Sequence, residues 1–293
     1  MRKLIGCALV AVAALATSTR AENAKIVLIA GRPSHGAGDH EFNAGCKLLV
    51  DCLKKVPGID PVFVGGGWPK DEGVFNGAKS VVFFMDGGGG HPIIQGDHLA
   101  TIKKLIDRGV GLVCMHYAVE IPKDKGGPEF LDWLGGYYES GYSTNPHWVA
   151  HVESLPDHPI TWGVKPFAVR DEWYFNMRFR PEMKGVTPII IAKPDDDATR
   201  QGTSSSPRGP YAHIAEATGR PEVLAWAVER PDGGRGFSFT GGHSHKNWGD
   251  DNFRKLVLNA IVWTAKLDVP PEGIPSTVSA DDLTKNLDPK GKK

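Results

Sequence analysis

The sequence has few cysteines, no excess of either charge and, beyond its first residues, no long apolar run. It contains four cysteines, of which Cys46, Cys52 and Cys114 remain if residues 1–21 are removed. An odd number of cysteines argues against a disulfide framework, even in an exported protein. We therefore interpret all three thiols as small, buried apolar groups, with Cys114 the only one near suspected chemistry.

The two signs of charge balance, with 34 Lys and Arg against 34 Asp and Glu. Loss of residues 1–21 removes three basic residues and no acids, which leaves a formal charge of −3. Such a balance favours neither nucleic acid nor an anionic membrane surface as a partner. No later apolar stretch is long enough for a membrane helix, so we expect no membrane association after this segment is removed.

The N-terminus has the pattern of a secretory signal. Arg2 and Lys3 form a short positive segment, Leu4–Ala16 is apolar, and small residues surround a cleavage point before Glu22. The apolar segment is too short to remain as a membrane anchor. We predict that residues 1–21 are a signal peptide and that the mature protein is periplasmic or secreted.

Short apolar runs alternate with segments of helical periodicity in the first part of the mature chain. The predicted strands are Lys25–Ala30, Pro61–Val64, Ser80–Met85 and Val110–Met115, and the predicted helices are Glu41–Lys55 and Asp97–Arg108. Near-continuous apolar strands between amphipathic helices indicate a mostly parallel α/β sheet with helices on both faces.

The pattern changes after residue 116. Residues 120–180 are rich in Gly, Pro and aromatic residues and predict an inserted irregular region, in which the alternation over His147–Glu153 favours a strand. A polar stretch at 194–210 predicts a loop. The last regular elements are predicted as strands Val186–Ala192, Val223–Val228 and Arg235–Thr240 and a helix over Asp250–Lys266. We expect the polar tail, residues 269–293, to pack loosely.

Histidines follow two of the predicted strands directly. His116 comes after Val110–Met115, and the turn after Arg235–Thr240 carries His243, His245 and then Trp248. Ligands of open α/β sheets bind beyond the carboxyl ends of the strands, and imidazole serves as acid, base or metal ligand near neutral pH. We therefore predict one shared site. His-x-His on an extended segment could also chelate a metal together with a carboxylate.

The segment Asp171–Tyr174 places two carboxylates, an indole and a phenol within four residues. If this segment is extended, Glu172 and Tyr174 share one face. Glu172 could then act as a base, a metal ligand or an acceptor for sugar hydroxyls beside Tyr174. The alternative is a salt-bridged surface loop without chemistry.

Four motifs occur in one order along the chain: Gly111–His116, Asp157–Thr161 followed by Gly163, Asp171–Tyr174, and Gly242–His243 followed by Trp248 and Asn259–Trp263. This series resembles the ThuA-like (trehalose utilisation) family over about residues 25–266, and we delimit the domain as 22–268. The resemblance implies a flavodoxin-like, class I glutamine amidotransferase-like sheet and a role in sugar catabolism, on a glycoside or a 3-keto-sugar. At the elbow where an amidotransferase has its cysteine, this sequence has His116, so glutamine hydrolysis is not expected.

Acid–base chemistry on a small carbohydrate is the function that we favour from the sequence. The enzyme would be a hydrolase, lyase or isomerase with His116, Glu172 and His243 as catalytic residues. Substrate contacts are assigned to four further residues: His35, Tyr174, His245 and Trp248. A divalent metal held by the catalytic residues is left open, as is a non-catalytic sugar-binding module on the same scaffold. The sequence fixes neither the oligomeric state nor the need for a partner enzyme.

Overall fold

The computed structural model describes residues 22–195 and 211–290. The predicted signal segment lies outside these residues, and so does most of the predicted loop at 194–210. The described residues form these helices and strands: β1 (Ala24–Ala30), α1 (Phe42–Leu53), β2 (Ile59–Val64), β3 (Ala78–Phe84), α2 (His98–Ile106), β4 (Gly111–Met115), α3 (Gly127–Trp133), β5 (Gly136–Tyr137), β6 (His147–Val152), β7 (Phe167–Glu172), β8 (Arg178–Phe179), β9 (Val186–Ala192), α4 (Ala212–Ala215), β10 (Glu222–Glu229), β11 (Arg235–Phe239) and α5 (Asp251–Thr264). Within the two described ranges, no helix has the length and apolar character that a membrane crossing requires.

A seven-stranded sheet in the order β2-β1-β3-β4-β11-β10-β9 forms the centre of the fold. β1 pairs in parallel with β2 and β3, and β4 pairs in parallel with β3 and β11. β10 is antiparallel to both of its neighbours. The predicted mostly parallel α/β sheet is confirmed, and the carboxyl ends of β1, β3, β4 and β11 lie at one edge.

Both faces of this sheet are covered by helices. In β1, Ile26 and Leu28 belong to a core that includes α1 and α5, whereas Val27 and Ile29 belong to a core that includes α2 and α3. Because side chains of a strand alternate between faces, burial on both sides requires an almost continuous apolar run. This requirement explains why the strands could be predicted from the sequence.

The inserted region between β4 and β9 forms two small antiparallel pairs, β5 with β8 and β6 with β7. Alternate side chains of β6 are exposed and buried, as its sequence predicts. The indole of Trp148 on β6 donates a hydrogen bond of 2.9 Å to the carbonyl of Trp173. This bond fixes the end of β7, where Glu172 and Tyr174 reach the carboxyl edge of the main sheet and contact His116.

The segment after residue 268 is anchored at a few positions, whereas residues 275–287 are exposed or half-buried, so the expectation of a loose tail is met only in part. Val269 and Ile274 are buried, and the amide of Ile274 donates to Asn259 Oδ1 at 2.8 Å. The guanidinium of Arg254 on α5 donates to Ser276 Oγ at 2.9 Å. A few widely spaced residues make these contacts, and polar composition alone does not predict them.

The last described residues, 286–290, cross the loop between β1 and α1, and we call them the C-terminal strap. The ammonium of Lys290 is buried 3.3 Å from the carboxylate of Glu41 and donates to the carbonyl of Asp39. The amide of Asp288 donates to the other oxygen of Glu41 at 2.6 Å. The strap therefore holds the loop that precedes α1.

Candidate metal centre

Three histidines and a glutamate converge beyond the carboxyl edge of the sheet. His40 lies in the loop before α1, His116 follows β4 directly, His243 lies in the turn after β11, and Glu172 ends β7. One nitrogen or oxygen atom from each lies within 4.8 Å of the others. The three histidines are buried. The structure thus brings His116, Glu172 and His243 together, as the sequence predicts, and adds His40.

The facing atoms have nearly the spacing of an assembled tetrahedral site. His40 Nε2 lies 3.0 Å from His116 Nε2 and 3.0 Å from His243 Nδ1. Glu172 Oε2 lies 3.4 Å from His116 Nε2 and 3.0 Å from His243 Nδ1. A tetrahedral ion with bonds of about 2.0–2.1 Å keeps its ligand atoms about 3.3 Å apart.

The outer nitrogens of two rings fix the tautomers. His40 Nδ1 lies 2.9 Å from Asp86 Oδ1, and His116 Nδ1 lies 2.9 Å from the carbonyl oxygen of Thr240. A carboxylate and a carbonyl can only accept, so both Nδ1 atoms carry hydrogen. His40 Nε2 and His116 Nε2 then face each other at 3.0 Å, and His116 Nε2 also faces Glu172 Oε2 at 3.4 Å and the hydroxyl of Tyr174 at 3.3 Å. A cation bound at this point would accept lone pairs of these atoms in place of hydrogen.

The charges at the centre suit ligand roles. Burial alone would raise the pKa of Glu172, but hydrogen bonds from His116 and His243 outweigh it and lower that pKa below its ordinary range. Burial, followed by the nearby His116, lowers the pKa of His40, which keeps this imidazole neutral. Burial would also lower the pKa of His243, yet its hydrogen bond to Glu172 raises it. In the metal-free protein, His243 therefore keeps its hydrogen on Nδ1 and donates a hydrogen bond to Glu172 at 3.0 Å.

The backbone is strained at this centre. His35, His40 and His116 have positive φ angles of 61°, 48° and 52°, a left-handed conformation that costs a non-glycine residue about 1–2 kcal/mol. Such strain persists where the surroundings enforce it, most often at functional sites. At His116 it produces a sharp elbow after β4, which turns the imidazole over the edge of the sheet.

The buried carboxylate of Asp171 holds the turn that carries His243. Its oxygens accept from the amide of Gly242 at 2.8 Å and from the amide of Ser244 at 3.2 Å. The carbonyl of His243 accepts from the amide of His40 at 2.9 Å. The turn and the β1–α1 loop are thereby fixed to each other, so the ligand positions are set before any ion binds.

Two of the residues assigned to substrate contact lie against the centre. The ring of His35 stacks on His40 with centroids 3.6 Å apart, and its Nδ1 is 4.0 Å from Asp86 Oδ1. Tyr174 is buried, with its hydroxyl 3.3 Å from His116 Nε2. Their contact with substrate stays a prediction.

The other two residues assigned to substrate contact lie elsewhere. His245 begins a 3₁₀ turn and is buried outside the cluster; the His-x-His interpretation assumed an extended segment, and the turn rotates the second ring away. Trp248 is completely buried, with its ring 5.9 Å from that of Phe84 and 5.2 Å from that of Phe253. Since none of its surface is accessible, we assign Trp248 to the core.

Sequence reasoning did not select His40 or Asp86. His40 lies ten residues beyond the end of β1, in a loop without periodicity, and Asp86 follows β3 after Met85. The available signal was that both follow strands whose neighbours already carried candidate residues. In a parallel sheet, every loop at the carboxyl edge leads to the same region.

Glu120 and His147 are further polar groups beside the centre. Burial, with the charge of Glu172, raises the pKa of Glu120 to about 7. Its carboxylate lies beside Gly88, since a Cβ atom added to that glycine would be 3.3 Å from Oε1 of Glu120. The ring of His147 on β6 meets that of His243 edge to face at 4.7 Å. Neither residue belongs to a strand-to-turn pattern, so the sequence did not mark them.

Three imidazoles and a carboxylate are a donor set for borderline divalent ions. Zn²⁺, Co²⁺, Ni²⁺, Fe²⁺ and Mn²⁺ accept such mixed nitrogen and oxygen ligands, whereas Mg²⁺ and Ca²⁺ prefer oxygen alone. The spacing of the four facing atoms, 3.0–3.4 Å between neighbours, provides a second reason for a cation. The residues present therefore fit a transition-metal ion.

The described cysteines take no part in this centre. Cys46, Cys52 and Cys114 are free and buried, and burial raises the pKa of Cys114 well above its ordinary value. An un-ionised, inaccessible thiol is inert. The prediction that Cys114 is buried within its strand is confirmed, and the elbow itself carries His116.

Fold and centre together define a mostly parallel α/β protein with a histidine–carboxylate cluster at the carboxyl edge of its sheet. The sequence profile of the family described as "ThuA: Trehalose utilisation" matches residues 71–264. The chain therefore belongs to the ThuA family. No curated protein matches its sequence.

Solved structures of ThuA-like proteins share the fold. One from Bacteroides uniformis ATCC 8492 aligns with a TM-score of 0.60 and 15% identity, over 87% of this chain and 96% of that chain. Another from Parabacteroides merdae ATCC 43184 aligns with a TM-score of 0.57 and 18% identity, over 89% of this chain and 94% of that chain. At these identities the likeness concerns the fold.

Proposed function

We propose that the protein is a divalent-metal-dependent enzyme of sugar catabolism with the ion held by His40, His116, His243 and Glu172. The observation that carries this proposal is the convergence of four ligand atoms, with His40 Nε2 3.0 Å from His116 Nε2 and Glu172 Oε2 3.0 Å from His243 Nδ1. A second support is that a buried carboxylate completes the set. The sugar as substrate is supported by the family, which is described by trehalose utilisation.

The chemistry that suits this centre is proton removal beside a carbonyl group of an oxidised sugar. The C–H bond breaks, its proton passes to a base of the protein, and the electron pair forms a carbon–carbon double bond while the carbonyl oxygen becomes an enolate. A bound divalent ion would supply charge stabilisation for that oxygen. The step needs no external oxidant, because the carbonyl is already in the substrate.

Glu120 is the base that we propose for this step. With its pKa raised to about 7, both its ionised and its protonated forms are present at neutral pH, which is what general acid–base catalysis requires. Tyr174 holds a hydroxyl 3.3 Å from His116 Nε2 and can donate a hydrogen bond to an oxygen bound at the centre. Elimination or isomerisation of the sugar can follow from the same enolate.

We also propose that the protein is exported, which the signal-like pattern of residues 1–21 supports. The mass of the protein recovered from the producing cells tests this part. A mature chain that begins near Glu22 is expected, and a chain that keeps Met1 or Arg2 would contradict export by this route.

A pair of variants from one turn tests the metal-dependent function. His243→Ala removes a proposed ligand, whereas His245→Ala removes a buried imidazole two residues away that lies outside the cluster. We expect His243→Ala to lose bound metal, measured by mass spectrometry, and to lose turnover of 3-keto-glycosides by about 10²- to 10⁴-fold. His245→Ala should keep its metal and lose mainly thermal stability.

The outcomes separate enzyme from binding module. The wild-type protein could bind metal and His243→Ala could lose it, while the wild type turns over no keto-glycoside. That result would favour the non-catalytic sugar-binding module. Equal metal content in both variants, or none in the wild-type protein after incubation with Zn²⁺, Co²⁺ or Mn²⁺, would contradict the metal centre.

A further inference from the structure

A cavity of about 500 Å³ opens beside the metal centre. It lies beyond the carboxyl ends of β1, β2 and β3, next to the place where the order of the sheet reverses, with β2 on one side of β1 and β3 on the other. Ligands of open α/β sheets bind in the crevice at such a switch point. The volume is within the range of small-molecule sites.

One wall of this cavity is a stacked aromatic pair. The rings of Trp68 and His98 are nearly parallel, at 5°, with centroids 3.9 Å apart. The indole donates to Glu72 Oε1 at 3.0 Å, and the same carboxylate accepts from Thr101 at 3.1 Å. His98 Nδ1 donates to the carbonyl of Pro92 at 2.7 Å. Both rings are therefore fixed before a ligand binds.

Polar groups line the remaining walls. Arg32 and Gln95 are exposed at the cavity, and Asp86 contributes a carboxylate. Aromatic rings opposed by hydrogen-bonding side chains are the combination that recognises a sugar ring, which carries both C–H groups and hydroxyls.

Asp86 connects the cavity to the metal centre. Its carboxylate lines the cavity and also accepts from His40 Nδ1 at 2.9 Å. The far side of that imidazole faces the ion position, so the cavity wall lies about 7 Å from a bound ion. His35 stacks on His40 with centroids 3.6 Å apart, beside this contact.

We propose that this cavity binds the second ring of a two-ring glycoside whose first ring lies at the metal centre. The inference rests on the proposed function for the position of the first ring. It adds that the substrate has two rings, and that Trp68, His98 and Arg32 contribute to its selection. Neither Trp68 nor His98 contacts the reacting ring.

Two neighbouring glycines provide a test with a matched control. Gly90 lines the cavity and Gly89 does not. At both positions an added Cβ meets no atom within 4 Å, and neither φ is in the left-handed region. Gly90→Phe should fill the cavity, whereas Gly89→Phe should not. Trp68→Ala removes the wall, and thermal unfolding shows whether each variant is folded.

Equilibrium binding is measured by calorimetry on Zn²⁺-loaded protein with trehalose, sucrose and cellobiose, and with methyl α-glucoside as a one-ring comparison. We expect Gly90→Phe and Trp68→Ala to weaken binding of a disaccharide about tenfold or more. Gly89→Phe should bind as the wild type does, and the one-ring sugar should be insensitive to Gly90→Phe.

Equal disaccharide affinity in Gly90→Phe and Gly89→Phe would overturn the subsite, and so would equal losses for one-ring and two-ring sugars. Absence of disaccharide binding by the wild-type protein would overturn it as well. Because no turnover is measured, a protein that binds disaccharides through this cavity without converting keto-sugars keeps the subsite and loses only the proposed enzyme activity.

Discussion

Replacement of Asp86 tests the inferred tautomer of His40 without touching a ligand atom. The carboxylate lies 2.9 Å from His40 Nδ1 and fixes hydrogen there, which leaves Nε2 free to bind an ion. Without it, either ring nitrogen of His40 can carry the hydrogen, and the imidazole becomes a weaker donor. The ring itself should stay in place, since it stacks on His35 and contacts Phe42.

The size of the expected loss of metal affinity follows from the position and the exposure of Asp86. Loss of such an outer partner lowers metal affinity about 10- to 100-fold. The side chain of Asp86 is 39% exposed, so water replaces part of the interaction, and we expect Asp86→Ala to be at the lower end, about tenfold or 1.4 kcal/mol. Asp86→Asn keeps an acceptor oxygen without the charge and should lose less than Asp86→Ala.

Competition between the protein and a chromophoric chelator for Zn²⁺ or Co²⁺ measures these affinities. Asp60→Ala, which removes an exposed carboxylate on β2, is the control for the change in net charge. Wild-type affinity in Asp86→Ala would refute the reasoning, because His40 would then bind the ion without a fixed tautomer or would not bind it. An equal loss in Asp60→Ala would assign the effect to net charge.

Two further predictions concern buried titratable groups. In metal-free protein, Glu120→Gln should gain stability relative to the wild type by up to about 3 kcal/mol as pH rises from about 4.5 to about 8. The reason is that the pKa of Glu120 is raised from 4.5 to about 7 in the folded state. The favourable contribution of its protonated form to the stability of the wild type is therefore complete below pH 4.5 and disappears as pH rises through 7. A difference in melting temperature between the two proteins that does not change with pH would contradict this. Cys114→Ala should cost about 1–2 kcal/mol of packing and leave metal content and turnover unchanged, and a hundred-fold loss of turnover in the folded variant would overturn the assignment of Cys114 as inert.

The strands of the sheet could be predicted from the sequence because they are buried on both faces. Runs such as Val110–Met115 have no polar interruption, and the flanking helices have one apolar side each. The contacts of the C-terminal strap could not be predicted in this way, because Lys290 is buried by pairing with Glu41 and not by apolar character. Composition does not reveal a charge that is buried with its partner.

The centre was readable in part, for a similar reason. His116 and His243 lie within a few residues of strand ends, and strand ends are predictable. His40 depends on a long loop with left-handed backbone at φ 48°, which sequence periodicity does not describe. His245 was misplaced because the 3₁₀ turn after Ser244 changes the side-chain direction that an extended segment would have.

The C-terminal strap connects the proposed metal centre to the opposite end of the described chain. Lys290 and Glu41 hold the loop that carries Asp39 and His40, so one ligand depends on a residue 250 positions away in sequence. We expect a purification tag fused to the C-terminus to loosen this loop, because Lys290 itself holds it. We therefore expect preparations with the tag at different ends to differ in metal content although their centres have the same residues, and comparisons of activity should use one tag position throughout.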